Sequence, residues 1–156
     1  MRKIFAGLAA VLVLAVVVQF FFAASGAFNT APNDEAFQPH RALGYPIFIL
    51  AVLMTIVAAL ARMPGRLIGR TGLVAGLVAV QVVIVVLAKA FNDTGDTSTT
   101  AGQLVFGLHA VNGLAILHVA GNLARQARGL SSSAATGRPA GAGVSGPAAG
   151  SAQPAS

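Results

Sequence analysis

Apolar residues along this chain fall in long blocks, not in an alternating pattern. Residues 4–24, IFAGLAAVLVLAVVVQFFFAA, run for 21 positions without a charge, and residues 43–61 run for 19. Residues 71–88 give 18 more, and residues 101–124 give 24 with His109 and His118 counted as neutral. A helix rises about 1.5 Å per residue and the hydrocarbon core of a bilayer is about 30 Å thick, so each block is long enough to cross, the third by running a few residues past Lys89. Backbone in lipid must satisfy its own hydrogen bonds, and uninterrupted apolar runs lack the period of two that a barrel strand requires. The expected fold is therefore all-α: a four-helix transmembrane bundle with up-down topology and helices at about 4–24, 39–62, 67–91 and 101–125.

Between the blocks, the polar segments 25–38 and 92–100 read as loops at one end, and RMPGR at 62–66 reads as a tight turn at the other. Residues 131–156, SSSAATGRPAGAGVSGPAAGSAQPAS, offer almost nothing to bury and read as a disordered tail. The first block follows MRK and precedes AASGAF, the outline of a signal peptide, but its apolar run exceeds the usual 7 to 15 or so residues, which predicts a retained anchor. Pro39 falls in the first turn of the second helix, where proline costs little, and GYP at 44–46 is placed to bend its end. Gly69, Gly72, Gly76 and Ala79 form a stripe of small residues on the third helix, expected to pack inside the bundle. The fourth helix carries a similar stripe at Gly102, Phe106, His109, Gly113, Ile116 and Ala120. No internal repeat is visible in the letters.

The composition matches the blocks, with 56% hydrophobic and 9% charged residues. Zero cysteines exclude disulfides and thiolate chemistry. The net charge of +6 would suit nucleic acid, but its distribution reads as a membrane address. With a cytoplasmic N-terminus, Arg2, Lys3, Arg62, Arg66, Arg70, Arg125, Arg128 and Arg138 fall inside, and only Arg41 and Lys89 fall outside. All four acids, Asp34, Glu35, Asp93 and Asp96, also fall outside. This positive-inside bias predicts a multi-pass protein of the cell membrane with both termini cytoplasmic. The expected partner is the lipid bilayer, with a homo-oligomer or another membrane protein as further contacts and no nucleic acid.

Candidate chemistry is confined to polar residues within the apolar blocks. Counted from the outer helix ends at 1.5 Å per residue, Gln19 lies about 8 Å deep, His109 about 10 Å, Gln81 about 14 Å and Asn112 about 15 Å. Polar groups in lipid turn inward and pair, which predicts a buried polar layer of Gln19, Gln81, His109 and Asn112, serving as structural glue or as a ligand site. His118 is nine residues beyond His109 and so points to the opposite face; it is expected to form a boundary stripe with Asn122 and Arg125. No metal-spaced cluster and no Ser-His-Asp set is apparent, so no catalytic or metal residues are assigned.

The segments NDEAFQPHRALGY, ARMPGR and GLHAVNGLAIL resemble a family of small four-span membrane proteins of unknown function from high-GC Gram-positive bacteria, over residues 1 to about 130. That resemblance implies a fold and a membrane but no reaction. HR at 40–41, with histidines on the second and fourth helices, is also similar to one half of haem A synthase. This second resemblance implies haem b with His40 and His109 as axial ligands. The chain departs from it in having Glu35 five residues before His40 instead of three, no loop cysteine, and four helices instead of eight. The depth count also sets His40 at the boundary, above His109.

The expected role is a non-enzymatic membrane component without a cofactor, binding a partner or small ligand through the polar layer. The alternatives are a haem b electron carrier and a small transporter subunit. The transporter reading lacks a membrane-embedded carboxylate.

Overall fold

A computed structural model describes residues 1–91 and 99–135 of the chain, with side chains to 132. Most of the expected 92–100 loop, with Asp93 and Asp96, and the tail from 136 onward, with Arg138, lie outside the described residues. The order is α1 (Arg2–Ala27), α2 (Asn33–Ala36), α3 (Gln38–Leu60), α4 (Gly65–Phe91) and α5 (Thr100–Ala135), and all regular structure among the described residues is helical. Four of these helices, α1, α3, α4 and α5, are long and apolar enough to cross a membrane. Their outer surfaces suit lipid: Leu14, Phe21, Leu60 and Leu104 are each more than 60% exposed. Where helices meet, the contacts are small, with Ala9, Ala51, Ala58 and Ala120 fully buried. Close backbone approach is how helices gain packing energy where the solvent is itself apolar.

The helices form a closed square. α1 packs against α3 and α5, α4 packs against the same two, and the diagonal pairs make no backbone approach. At one end, α3 stops at Leu60 in a Schellman arrangement, with Arg62 N donating to Ala59 O and Met63 N to Ala58 O. Arg62 takes the left-handed position, at φ 48°, that glycine usually fills. At the other end, Thr99 caps α5, its Oγ1 accepting from Gly102 N at 3.0 Å.

Several expectations change. The segment 25–38 is not a simple loop, because α2 folds back against the end of α1. A Cβ at Gly26 would lie 2.9 Å from both Ala36 O and Phe37 Cδ1, so only glycine allows this approach. α3 continues through Pro46 as one helix. α5 runs ten residues past the expected end near 125, taking 131–135 from the expected tail; Leu, Ala, Arg and Gln in LARQARGL all favour helix.

The Gly69, Gly72, Gly76 and Ala79 stripe does not line the bundle interior. A Cβ at Gly69 or Gly76 meets nothing within 4 Å, Ala79 is exposed, and only Gly72 faces a neighbour, Thr55. α4 instead buries Leu67, Thr71, Val74, Ile84 and Ala88, the face that carries Gln81. An amide costs more in lipid than glycine gains by packing, so Gln81 decides which face turns inward. On α5, Gly102, Gly113, Ile116 and Ala120 are buried as expected, whereas Phe106 is half exposed.

The structure also contains the internal repeat that the letters hide. The buried positions of α3 recur on α5 at a constant offset: Ile47 with Ile116, Ala51 with Ala120, Met54 with Leu123, and Ala58 with Ala127. Those of α1 recur on α4, as Phe5 with Leu67, Ala9 with Thr71, and Leu12 with Val74. The two offsets differ because Gln81 and His109 are 28 residues apart and Gln19 and His40 only 21, since α5 starts well before its histidine and α3 does not, so no single period runs through the chain. The bundle is thus two similar helical hairpins, related by an approximate two-fold axis along its length.

Candidate functional site

The repeat brings one polar residue from each long helix to a single level. Gln19 on α1 donates from Nε2 to His40 O at 2.7 Å, and Gln81 on α4 donates from Nε2 to His109 O at 3.0 Å. In each hairpin, an amide on the first helix thus holds the backbone of a histidine on the second. Four residues beyond each histidine stands a glycine, in HRALG at 40–44 and HAVNG at 109–113. A Cβ at Gly44 would lie 3.4 Å from Gln19 Nε2, and one at Gly113 would lie 3.4 Å from Gln81 Nε2. Each glycine leaves the room its glutamine occupies. Asn112 adds a bond without counterpart in the first hairpin, Nδ2 to Leu77 O at 2.8 Å.

The two histidines come from diagonal helices and meet across the interior, their ring centroids 5.9 Å apart at 52°. His40 therefore does not sit above His109, as counting from the helix start suggested. Residues 28–37 fold back along the last turns of α1, so the start of α3 lies level with Gln19 and below the end of α1. The Phe37 and His40 rings lie nearly perpendicular with centroids 6.4 Å apart, and Phe106 stacks on His109 at 5.4 Å with planes 7° apart.

Hydrogen bonding fixes one tautomer. His40 Nδ1 lies 3.1 Å from Gln19 O, and a carbonyl only accepts, so in the neutral ring Nδ1 carries the proton and Nε2 keeps its lone pair. Three polar atoms at this level are buried without a hydrogen-bond partner: Gln19 Oε1, Gln81 Oε1 and His109 Nδ1. Such atoms are uncommon in folded proteins, and here they cluster. A fourth, Arg70 Nη1, lies on α4 toward the other end of the bundle and was not anticipated from sequence.

The sequence reading thus names Gln19, Gln81, His109 and Asn112 for the layer and His40 with His109 for haem; the structure brings His40 to the level of the layer, sets Gly113 and Phe106 beside it, and adds Gly44 and Phe37. The shared H-x3-G spacing was the available signal. His118 is exposed and its Nε2 pairs with Asn122 Nδ2 at 2.9 Å, while Arg125 Nη2 donates to Asn122 Oδ1. This chain runs along α5 away from the layer. Among the described residues, no group of three or more His, Cys, Asp or Glu is placed to hold a metal ion.

His40 and His109 are the residues that would hold a haem iron, and the Nδ1 bond of His40 to a carbonyl would orient that ring as a ligand. The macrocycle is less well served. The glycine notches that would admit its edge are filled, Gly44 by Gln19, and Gly113 by Gln81 and by Phe20, whose Cζ is 3.2 Å from a Cβ there.

The family of unknown function DUF6220 matches residues 19–89. The match takes in Gln19, His40, Gly44 and Gln81 and ends before α5. No curated protein and no solved structure matches the chain.

Proposed function

We propose that the chain is a non-enzymatic component of the cell membrane that binds a small ligand in the polar layer, with both termini cytoplasmic and the layer in the outer half. The observation that carries this reading is the cluster of unpartnered atoms, Gln19 Oε1, Gln81 Oε1 and His109 Nδ1, at one level among four helices. The cross-helix amide bonds alone would account for glue, at about 0.6–2 kcal/mol each, but glue needs no unsatisfied acceptors. The test is purification in mild detergent followed by mass spectrometry of what co-purifies. A molecule that is retained by the native chain and lost from Gln19→Leu and Gln81→Leu supports the reading. Preparations of all three that carry the same molecules contradict it.

The His40–His109 approach favours a second reading, a haem b electron carrier with those two axial ligands. Absorption spectra of the oxidised and dithionite-reduced protein decide it, since a chain without a Soret band is not a haem protein. Orientation has its own test in intact cells. Gly95→Cys should react with an impermeant thiol reagent and Gly65→Cys should not, and the reverse labelling would overturn the assigned topology.

A further inference from the structure

The approximate two-fold axis passes between His40 and His109, which occupy equivalent places in the two hairpins. A ligand shared by two equivalent imidazoles on such an axis is most simply one atom. With metal–nitrogen bonds of about 2.0–2.1 Å, two imidazoles on one ion have ring centroids about 5 Å apart at a tetrahedral angle and about 6.3 Å apart when opposed. The observed 5.9 Å falls between these limits. His40 is oriented for ligation by its Nδ1 bond to Gln19 O, which directs the Nε2 lone pair away from that carbonyl. His109 Nδ1 is buried and unpartnered, as are the amide oxygens of Gln19 and Gln81 at the same level.

We propose that His40 and His109 together bind a single monovalent copper ion on the axis of the bundle. This inference rests on the polar layer being a ligand site and names its ligand class. Imidazole suits zinc, copper, iron and nickel. The choice among them follows from charge. All four acidic residues lie outside the apolar blocks, so nothing in the layer offsets the charge of an ion. Each uncompensated charge within hydrocarbon is costly, which favours the ion of lowest charge, and Cu(I) is also satisfied by two nitrogen ligands. Filled notches beside Gly44 and Gly113 leave room for an ion more readily than for a macrocycle.

The test titrates the full-length detergent-purified chain anaerobically with Cu(I) against a chromogenic chelator. One equivalent per chain should be withheld from the chelator. His40→Gln and His109→Gln should each weaken retention at least tenfold, whereas His118→Gln should leave it unchanged. X-ray absorption of the copper-loaded native chain supplies a readout that does not depend on variants folding: two imidazoles should appear in the first shell. Absence of retained copper, retention unchanged in both layer variants, or a Soret band in the purified chain would overturn the proposal. An organic molecule found in the layer without copper retention defeats this inference alone, while the absence of both defeats the ligand reading as well.

Discussion

The two hairpins solve one packing problem with different closing segments. In α4–α5, Asn112 ties the helices through Leu77 O in addition to the Gln81 bond. The equivalent position in α1–α3 is Leu43, a partly buried hydrophobe packed against the core, and that hairpin instead gains the contact of Gly26 with Ala36 and Phe37. One hairpin is secured within the apolar region, the other at its end, by the folded-back segment containing α2. The shared parts, Gln to histidine carbonyl and histidine to glycine, do not vary. What repeats is the layer, and what differs is how each pair of helices is closed above or below it.

The largest effect should come from breaking the end closure. Gly26→Val places atoms inside contact distance of Ala36 O, a backbone atom that cannot move aside, and should cost about 3 kcal/mol. The matching change in the other hairpin, Ala88→Gly, should cost only about 1 kcal/mol. Reversible unfolding in mixed micelles reads both, and equal losses would show that the two ends are not closed differently.

Next in size is Asn112→Leu, which gives the second hairpin the residue of the first. Loss of the bond to Leu77 O should lower stability by about 1 kcal/mol. A stability equal to that of the native chain would mean that the bond adds nothing to packing. Arg62→Gly should raise stability by up to about 1 kcal/mol, because glycine takes the left-handed position at no steric cost; a lowered unfolding midpoint would indicate that the arginine side chain contributes more than its backbone conformation costs. The smallest effect belongs to His118→Gln. His118 is exposed and its partners lie on its own helix, so stability should move by less than about 0.5 kcal/mol, as a thermal melt in detergent would show.

Much of this was legible from the letters. Four apolar blocks gave four helices long and apolar enough to cross a membrane, with bounds within a few residues except at the end of α5, and the cost of polar groups in lipid singled out Gln19, Gln81, His109 and Asn112 as groups to be shielded. The same rule would have chosen the correct face of α4, since Gln81 is incompatible with the Gly69–Gly76 stripe facing inward. Counting small residues without weighing that one amide led to the wrong face. The end of α5 was missed because polar, helix-favouring residues continue a helix past the point where hydropathy falls.

By itself, the sequence determined that the chain has four apolar helices and which polar residues within them must be shielded, because both follow from the free energy of placing each group in hydrocarbon. Tertiary structure decided that His40 meets His109. Helix-end counting fixes depth only when connections simply span the gap between helices, and here residues 28–37 fold back and bring α3 level with Gln19. It also revealed the repeat, since equivalent residues are 21 apart in one hairpin and 28 in the other, which shifts the register and leaves the equivalence visible only where buried residues meet around a common axis.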